Sequence, residues 1–315
     1  MTTASPRESY GATLLELGKE NQEIVVIGGD LNKSTFIHLF HQEFPRRFFD
    51  VGPAEQNMMS LAAGLASSGK TVFASTFAVF GTGRPYDQIR LGISQPNLNV
   101  KIVATHAGIT TGEDGMSAQA IEDLSLMCAL PSFTVIVPAD APETVKAVRH
   151  AATTQGPFYI RLSRHSTPII HTGDYDFNIG KAELIRDGTD VTIIACGIMV
   201  KAAMEASDIL VGENIQSRVI NMATIQPIDA ASITMAAKHT GAIVTAEEHL
   251  RHGGLGSVVS QVTGQTYPVP LESVALENYA ESGAPNDLLD KYALTSSKIA
   301  ERARQAILRK THQKH

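Results

Sequence analysis

The 315-residue sequence has no tryptophan, only two cysteines and no long apolar run. The longest apolar run, VTIIACGIMV at residues 191–200, is well below the ~20 residues that a membrane span requires. Cys128 and Cys196 each lie inside an apolar stretch, so we expect reduced core thiols, as in a cytoplasmic protein, rather than a disulfide framework. The first residues, MTTASPRESY, do not have the apolar segment of a secretory signal.

The composition excludes several other classes of protein. A net charge of −6 with 11 scattered histidines argues against a nucleic-acid partner. The sequence contains no G-x-G-x-x-G fingerprint, no Walker A motif, no zinc spacing of Cys and His and no G-x-S-x-G elbow. HGGLGS at residues 252–257 is glycine-rich, but close packing of the following helix explains it better than a phosphate cradle does.

Short apolar runs alternate with helical patterns along the first half of the chain. We predict helices near residues 8–20, 53–68, 83–94, 119–129 and 142–153. The predicted strands between them are EIVVIGGD (23–30), TVFASTF (71–77), NVKIVATHAG (99–108), FTVIVPAD (133–140) and FYIRLSR (158–164). This alternation is typical of βαβ units in a parallel sheet, so the predicted fold class is α/β.

A second alternation follows a segment rich in Pro, Gly and Asp. We predict a first domain at residues 1–165, a linker at 166–182 and a smaller α/β domain at 183–315. The predicted strands of the second domain are DVTIIACG (190–197), SRVINMA (217–223), GAIVTAEEH (241–249) and PVPLESVAL (268–276).

Polar residues concentrate where the strands of the first domain end, which is where open parallel sheets bind ligands. Glu55 follows Pro53 at a predicted helix start, so it is either a favourable helix-start charge or an acid that faces a ligand. Phe77 and Phe80 come just after a strand end. Two phenylalanines three residues apart usually belong to a core, but here they could also form an aromatic wall beside the acid.

Three further segments carry candidate ligand groups at the same edge. The long loop HAGITTGEDGMSAQ begins at His106 and carries Asp114 at its centre. Arg164 ends RLSR and could hold an anion or form a surface ion pair. Asp30 and Ser34 lie in GGDLNKST, after the first strand.

Four stretches, DVGPAEQNMMSLAAGLASSG, ASTFAVFGTGRPYDQIR, THAGITTGEDG and FYIRLSR, together resemble the C-terminal half of transketolases. VTAEEHLRHGGLGS resembles the C-terminal domain of split transketolases and of deoxyxylulose-5-phosphate synthases. The beta subunits of 2-oxo acid dehydrogenase E1 components look like more distant relatives. The resemblance implies a thiamine-diphosphate pyrimidine-binding domain followed by a transketolase C-terminal domain.

The resemblance also implies a role for each candidate residue. Glu55 would be the catalytic acid that bonds to the pyrimidine ring, and His106 would act both in catalysis and in binding the donor sugar. The remaining implied contacts are cofactor contacts from Asp30, Phe77 and Phe80, and substrate contacts from Ser34, Asp114 and Arg164, with Arg7 aligned more loosely.

The family's metal-binding GDG segment has no counterpart here, so the resemblance implies no metal ligand in this chain. Magnesium and the diphosphate would be held by a separate N-terminal-section subunit, in a heterotetramer. Two positions depart from the family: Ala118 stands where a histidine is usual, and Gly83 where a third aromatic is usual. These departures leave open whether the sugar is phosphorylated or sulfonated.

The implied activity is transfer of a two-carbon ketol unit from a ketose to an aldose, as in pentose phosphate metabolism. Two alternatives remain. The chain could be a beta subunit of a 2-oxo acid dehydrogenase E1 or a deoxyxylulose-phosphate-synthase-like enzyme, or it could be a non-catalytic partner that completes a dimer.

Overall fold

The structure, a computed structural model, describes residues 2–173 and 175–312. Its strands are β1 Thr3–Ala4, β2 Ile24–Gly28, β3 Phe48–Asp50, β4 Thr71–Ser75, β5 Val100–Ala104, β6 Thr134–Ile136, β7 Phe158–Arg161, β8 Thr167–Pro168, β9 Glu183–Arg186, β10 Val191–Ala195, β11 Ser217–Asn221, β12 Thr224–Gln226, β13 Ile243–Leu250 and β14 Leu271–Leu276.

The α-helices are α1 Pro6–Glu20, α2 His38–Glu43, α3 Glu55–Ser67, α4 Ala78–Gly83, α5 Tyr86–Gln88, α6 Asp123–Cys128, α7 Ala141–Thr153, α8 Met199–Val211, α9 Ala230–Thr240, α10 Leu255–Thr266, α11 Pro285–Lys291 and α12 Ser296–His312. A π-helical segment covers Ile89–Ser94, and short 3₁₀ segments cover Pro45–Arg47 and Ile109–Asp114. None of the helices within the described ranges is both long and apolar enough to cross a membrane.

The first sheet has seven strands in the order β12-β6-β7-β5-β4-β2-β3. All its pairings are parallel except that of β12, which comes from the second half of the chain and runs antiparallel to β6. Every residue of the central strands β2, β4 and β5 is buried, because helices cover both faces of the sheet.

The second sheet has five strands in the order β14-β13-β10-β11-β9, with β9 antiparallel at one edge. The two sheets confirm the predicted α/β class. The predicted domain limits stay a prediction, because the halves share strand β12 and one continuous apolar cluster that contains both Met58 of α3 and Ile194 of β10. Within the predicted linker, β8 pairs with β1 and Phe177 is buried.

Local sequence signals determine where the helices that flank the first sheet begin. Ser5 caps α1 by accepting a hydrogen bond from the Glu8 amide, and Pro6 occupies the first turn. Asp140 caps α7 in the same way through the Glu143 amide. Helices α1 and α7 cover one face of the sheet, where Tyr10 and Phe158 belong to the same buried cluster.

Candidate active site

Glu55 is the first residue of α3 and its side chain is buried, with 5% of its surface exposed. The preceding turn contains Gly52, whose φ of +69° favours glycine. Arg84 Nη1 donates a hydrogen bond to Glu55 Oε1 at 2.8 Å, while the Arg84 side chain itself remains 53% exposed. The carboxylate is therefore a buried, cation-paired group and more than a solvated helix-start charge.

A row of aromatic rings connects Arg84, the partner of Glu55, with His106. The Arg84 guanidinium lies 4.2 Å from the centroid of the Phe80 ring. Phe80 stacks on Phe77 at 5.9 Å, and Phe77 stacks on the His106 ring at 3.6 Å between centroids. The structure thus brings four predicted site residues together and adds Arg84, which was not among the predicted site residues.

A second group of contacts ties Arg7, Ser34 and Arg164 together. Arg7 donates to the backbone carbonyl of Arg164 at 2.8 Å and to that of Ser34 at 2.7 Å. Arg164 in turn donates to the Thr111 carbonyl and, at 3.1 Å, to the Glu113 carboxylate. Three distant chain segments therefore converge on two neighbouring guanidinium groups, which suits the binding of an anion.

His106 lies at the electropositive end of this arrangement. Burial, followed by the charges of Arg7 and Arg164, lowers the pKa of His106 to about 3, so its ring is neutral at neutral pH. His106 Nδ1 lies 2.8 Å from the Thr105 hydroxyl, and the Thr111 hydroxyl donates to the His106 carbonyl. The backbone φ of His106 is +58°, an uncommon value outside glycine that these contacts hold in place.

Asp30 and Asp114 are exposed, and neither side chain forms a hydrogen bond with a residue of these two groups. Asp30 contributes its backbone amide, which donates to the Asp50 carboxylate at 3.1 Å. Asp114 ends the 3₁₀ segment between Gly112 and Gly115, both of positive φ. The structure therefore does not join the side chains of these two acids to Glu55 or His106 by hydrogen bonds.

The two departures from the family pattern differ in their surroundings. Ala118 is buried, with 6% exposure, and its amide donates to the Gly115 carbonyl. A Cβ atom added at Gly83 would meet nothing within 4 Å, so open space lies where the family carries an aromatic ring.

Within residues 2–173 and 175–312, no group of three or more His, Cys, Asp or Glu side chains is arranged to hold a metal ion. The buried carboxylate and the aromatic stack do fit the pyrimidine end of thiamine diphosphate. Arg84 occupies Oε1 of Glu55, and the other oxygen, Oε2, is the one that could share a proton with a ring nitrogen.

Two family models match the chain. The model of the transketolase pyrimidine-binding domain covers residues 3–169, and that of the transketolase C-terminal domain covers residues 180–299. The chain belongs to the transketolase family. This membership confirms the resemblance seen in the sequence, and the family depends on thiamine diphosphate.

Similar proteins include separate subunits as well as longer chains. A Methanocaldococcus jannaschii protein, provisionally named as a transketolase C-terminal section, is 44% identical over 300 residues, 94% of each chain. A Clostridium sp. protein named 6-deoxy-6-sulfo-D-fructose transketolase subunit SqwH is 38% identical over 96% of this chain and 95% of that protein. Transketolase-like protein 2 of Mus musculus is 40% identical over 96% of this chain, which spans 49% of that protein.

The solved structures that match also include both a separate subunit and a longer chain. A structure described as a split gene transketolase, inactive beta4 tetramer, is 47% identical, with a TM-score of 0.91 over 97% of this chain and 99% of that chain. Transketolase from Leishmania mexicana, at 23% identity and a TM-score of 0.83 over 98% of this chain and 46% of that chain, shares the fold. In length as well as in fold, the chain is therefore similar to the separate subunits of split transketolases.

Proposed function

We propose that this chain is the pyrimidine-binding and C-terminal subunit of a split transketolase that transfers a two-carbon ketol unit from a ketose to an aldose. The observation that carries the proposal is the buried Glu55 carboxylate beside the Phe77–Phe80 stack. When bound, thiamine diphosphate supplies the nucleophilic carbon and the electron sink needed to break a carbon–carbon bond.

In this proposal, residues of this chain bind the pyrimidine end of the cofactor and hold a proton there. Glu55 presents Oε2 to the pyrimidine nitrogen and holds a proton there, while Arg84 occupies Oε1 and fixes the plane of the carboxylate. Phe77 and Phe80 form the wall against which the pyrimidine lies. Asp30 is assigned to the thiazolium side of the cofactor.

The substrate is assigned to the electropositive end of the site. The neutral His106 ring contacts the donor sugar and takes part in its proton transfers, with Asp114 binding a donor hydroxyl. Arg164 and Ser34 form the site for the anionic group of the sugar, with Arg7 holding both of their backbones. Two guanidinium groups beside a neutral imidazole favour a phosphorylated or sulfonated sugar over an uncharged one.

We assign the diphosphate and Mg²⁺ to a partner that carries the N-terminal section, in a heterotetramer. This assignment is supported by the relative described as an inactive beta4 tetramer and by the chain's span of about half the mammalian relatives. The relative named as a 6-deoxy-6-sulfo-D-fructose transketolase subunit motivates testing sulfonated as well as phosphorylated ketoses. Pentose phosphate metabolism is the corresponding role for a phosphorylated sugar.

A cytoplasmic location belongs to the same proposal. Cys128 and Cys196 are free thiols, and burial raises the pKa of the Cys128 thiol to about 12. Inert, reduced cysteines are typical of proteins from reducing compartments. Immunodetection in fractionated cells would locate the chain, and recovery outside the cytoplasmic fraction would contradict this part of the proposal.

The decisive experiment compares Glu55→Gln with the unaltered chain after reconstitution with the N-terminal-section subunit. We expect kcat to fall by roughly 10²- to 10⁴-fold, because the amide cannot hold the proton that the carboxyl holds. Glu23→Gln is the matched control, since Glu23 is an exposed acid of the same unit, paired with Lys70. Light scattering should give the same assembled mass for all three proteins, and full turnover by Glu55→Gln would refute the assignment.

Calorimetry with thiamine diphosphate and Mg²⁺ tests the split site directly. We expect the chain alone to bind weakly and the reconstituted complex to bind tightly. Tight binding by the chain alone would contradict the assignment of the diphosphate to a partner. A panel of phosphorylated, sulfonated and uncharged ketoses would then identify the donor, and a 2-oxo acid as the preferred donor would favour the E1-type alternative.

A further inference from the structure

The second unit of the chain, which follows the predicted linker, holds in place the long loop that carries Asp114, one of the predicted substrate residues. We call residues 108–119 the substrate loop. The Ser282 hydroxyl donates to the Glu113 carbonyl at 2.6 Å, and Gln119 Nε2 donates to the Glu281 carbonyl at 3.1 Å. A Cβ atom at Gly112 would come within 3.1 Å of the Pro285 ring, so the two segments are in close contact. The loop is therefore fastened at its middle and at its end.

The start of the substrate loop is fastened by Glu248, near the end of β13. The Thr110 amide donates to Glu248 Oε1 at 2.7 Å, and the Glu248 side chain is buried, with the residue 4% exposed. The carboxylate fills the space beside Gly108, where an added Cβ atom would lie 2.1–2.3 Å from its atoms. The φ of Gly108 is +80°, so neither the space nor the backbone accommodates a larger residue.

Arg161 fixes the strand that carries Glu248. One guanidinium nitrogen, Nη2, donates at 3.0 Å both to the Glu248 carbonyl and to the Ala120 carbonyl just beyond the substrate loop. The same guanidinium forms a buried ion pair with Asp123 at 2.7 Å. Burial raises the pKa of Glu248 to about 7, against the lowering effect of the Arg161 charge.

The held loop determines where the anion-binding groups lie. Arg164 is bonded to the Thr111 carbonyl and to the Glu113 carboxylate, both on the loop, and Arg7 is bonded to the Arg164 carbonyl. The Thr111 hydroxyl also holds the backbone of His106. A shift of the loop would therefore move the groups assigned to the sugar and its anionic group.

We infer that the C-terminal domain positions the substrate loop and that Glu248 is its main positioning residue, a role that rests on the function proposed above. Glu248 touches neither the cofactor nor the sugar in this proposal. It acts by accepting the Thr110 amide and by filling the space beside Gly108. The second domain thereby contributes to substrate binding in the first domain.

The test uses the reconstituted enzyme with Glu248→Ala, Glu248→Gln and Ser282→Ala. Glu248→Ala leaves the buried Thr110 amide without an acceptor, so we expect KM for the anionic sugar to rise roughly tenfold or more, with a smaller change in kcat. Glu248→Gln supplies an acceptor oxygen again, so we expect it to recover most of the loss. Glu277→Gln is the control, because Glu277 is an exposed acid of the same domain, paired with Arg251.

Hydrogen exchange of residues 108–119 provides a readout that does not depend on activity. We expect protection of the Thr110 amide to fall roughly tenfold in Glu248→Ala and to return in Glu248→Gln. Ser282 is exposed, so Ser282→Ala should loosen the middle of the loop without threatening the fold. Loop exchange and KM that stay at control values in Glu248→Ala and Ser282→Ala would overturn the inference. Absence of transketolase activity in the unaltered enzyme would instead refute the proposed function.

Discussion

His171 joins the two units of the chain through a buried pair of ionic hydrogen bonds. Its Nδ1 lies 2.9 Å from Asp140 Oδ1, and its Nε2 lies 2.7 Å from Glu183 Oε2. Asp140 caps α7 on the first sheet, whereas Glu183 begins β9 of the second sheet. The His171 side chain is only 2% exposed and packs against the Tyr175 ring at 4.0 Å. The His171 imidazole thus links the two units through its hydrogen bonds.

Because the His171 imidazole is charged, its contribution to stability depends on pH. Burial alone would lower the pKa of His171, but the hydrogen bonds to Asp140 and Glu183 and the nearby charge of Glu143 raise it to about 10. The folded value exceeds the ordinary 6.5, so the stabilisation is complete below pH 6.5 and is lost as the pH rises through 10. The pKa of Tyr175 is raised, chiefly by burial, which keeps this neighbour neutral across the window.

We expect His171→Gln to lower the free energy of unfolding at pH 6 by about 3 kcal/mol, the lower end of the loss for a broken buried ion pair. The lower end applies because the Glu183 side chain is 35% exposed. Urea unfolding at pH 6 and pH 9.5 would measure the loss, which should be much smaller at the higher pH. His252→Gln changes an exposed histidine and serves as the control. A loss of equal size at both pH values would show that the ring packs as a neutral group and refute the reasoning.

Two further predictions concern Arg84 and Arg161. Arg84→Gln removes the cation from Glu55, so we expect kcat/KM of the reconstituted enzyme to fall about tenfold, whereas the control Arg90→Gln, on an exposed side chain, should match the unaltered enzyme in the same steady-state assay. Equal kcat/KM for both variants would show that Arg84 does not position the carboxylate. Arg161→Met leaves Asp123 charged and buried, at a cost of about 3–5 kcal/mol of unfolding free energy in urea titrations. Arg186→Met breaks only a surface pair and should cost under ~1 kcal/mol; similar losses for the two would contradict the buried-pair argument.

The parallel strands could be predicted because their sequences are short, apolar and rich in β-branched residues. EIVVIGGD became β2 and DVTIIACG became β10, each with every strand residue buried. Such runs have few alternatives, since only a strand covered on both faces buries all their side chains at that length. The same reasoning predicted β11, β13 and β14.

The segment around residues 78–94 was predicted less well. One helix was expected over 83–94, but α4 covers Ala78–Gly83, α5 begins at Tyr86, and a π-helical turn covers Ile89–Ser94. Pro85 lies between α4 and α5, and its missing amide explains why no single helix runs through. Strand β12 was missed because its residues, Thr224–Gln226, complete a sheet whose other strands lie far earlier in the sequence.

In the candidate site, too, some residues could be predicted from the sequence and others could not. Phe77 and Phe80 could be singled out because they follow a strand end, where side chains of an open sheet converge. Glu55 could be singled out because it is an acid that follows Pro53 at a predicted helix start. Arg84 could not, because its pairing with Glu55 joins residues 29 apart and depends on where α3 and α4 pack. Glu248 was hidden for a similar reason: it is 138 residues from Thr110, and nothing local in VTAEEH indicates a partner in the other unit.

These long-range contacts link the candidate site to the stability of the whole chain. Strand β12 closes the first sheet, His171 joins the two units, and Glu248 with Arg161 fixes the start and end of the substrate loop. The energy that orders the loop is therefore provided partly by residues of the second unit, whereas the hydrogen bond to the Glu55 carboxylate comes from Arg84 of the first unit. Substitutions in that unit should consequently alter sugar binding before they alter the chemistry at the carboxylate, because positioning and proton transfer rest on separate parts of the fold.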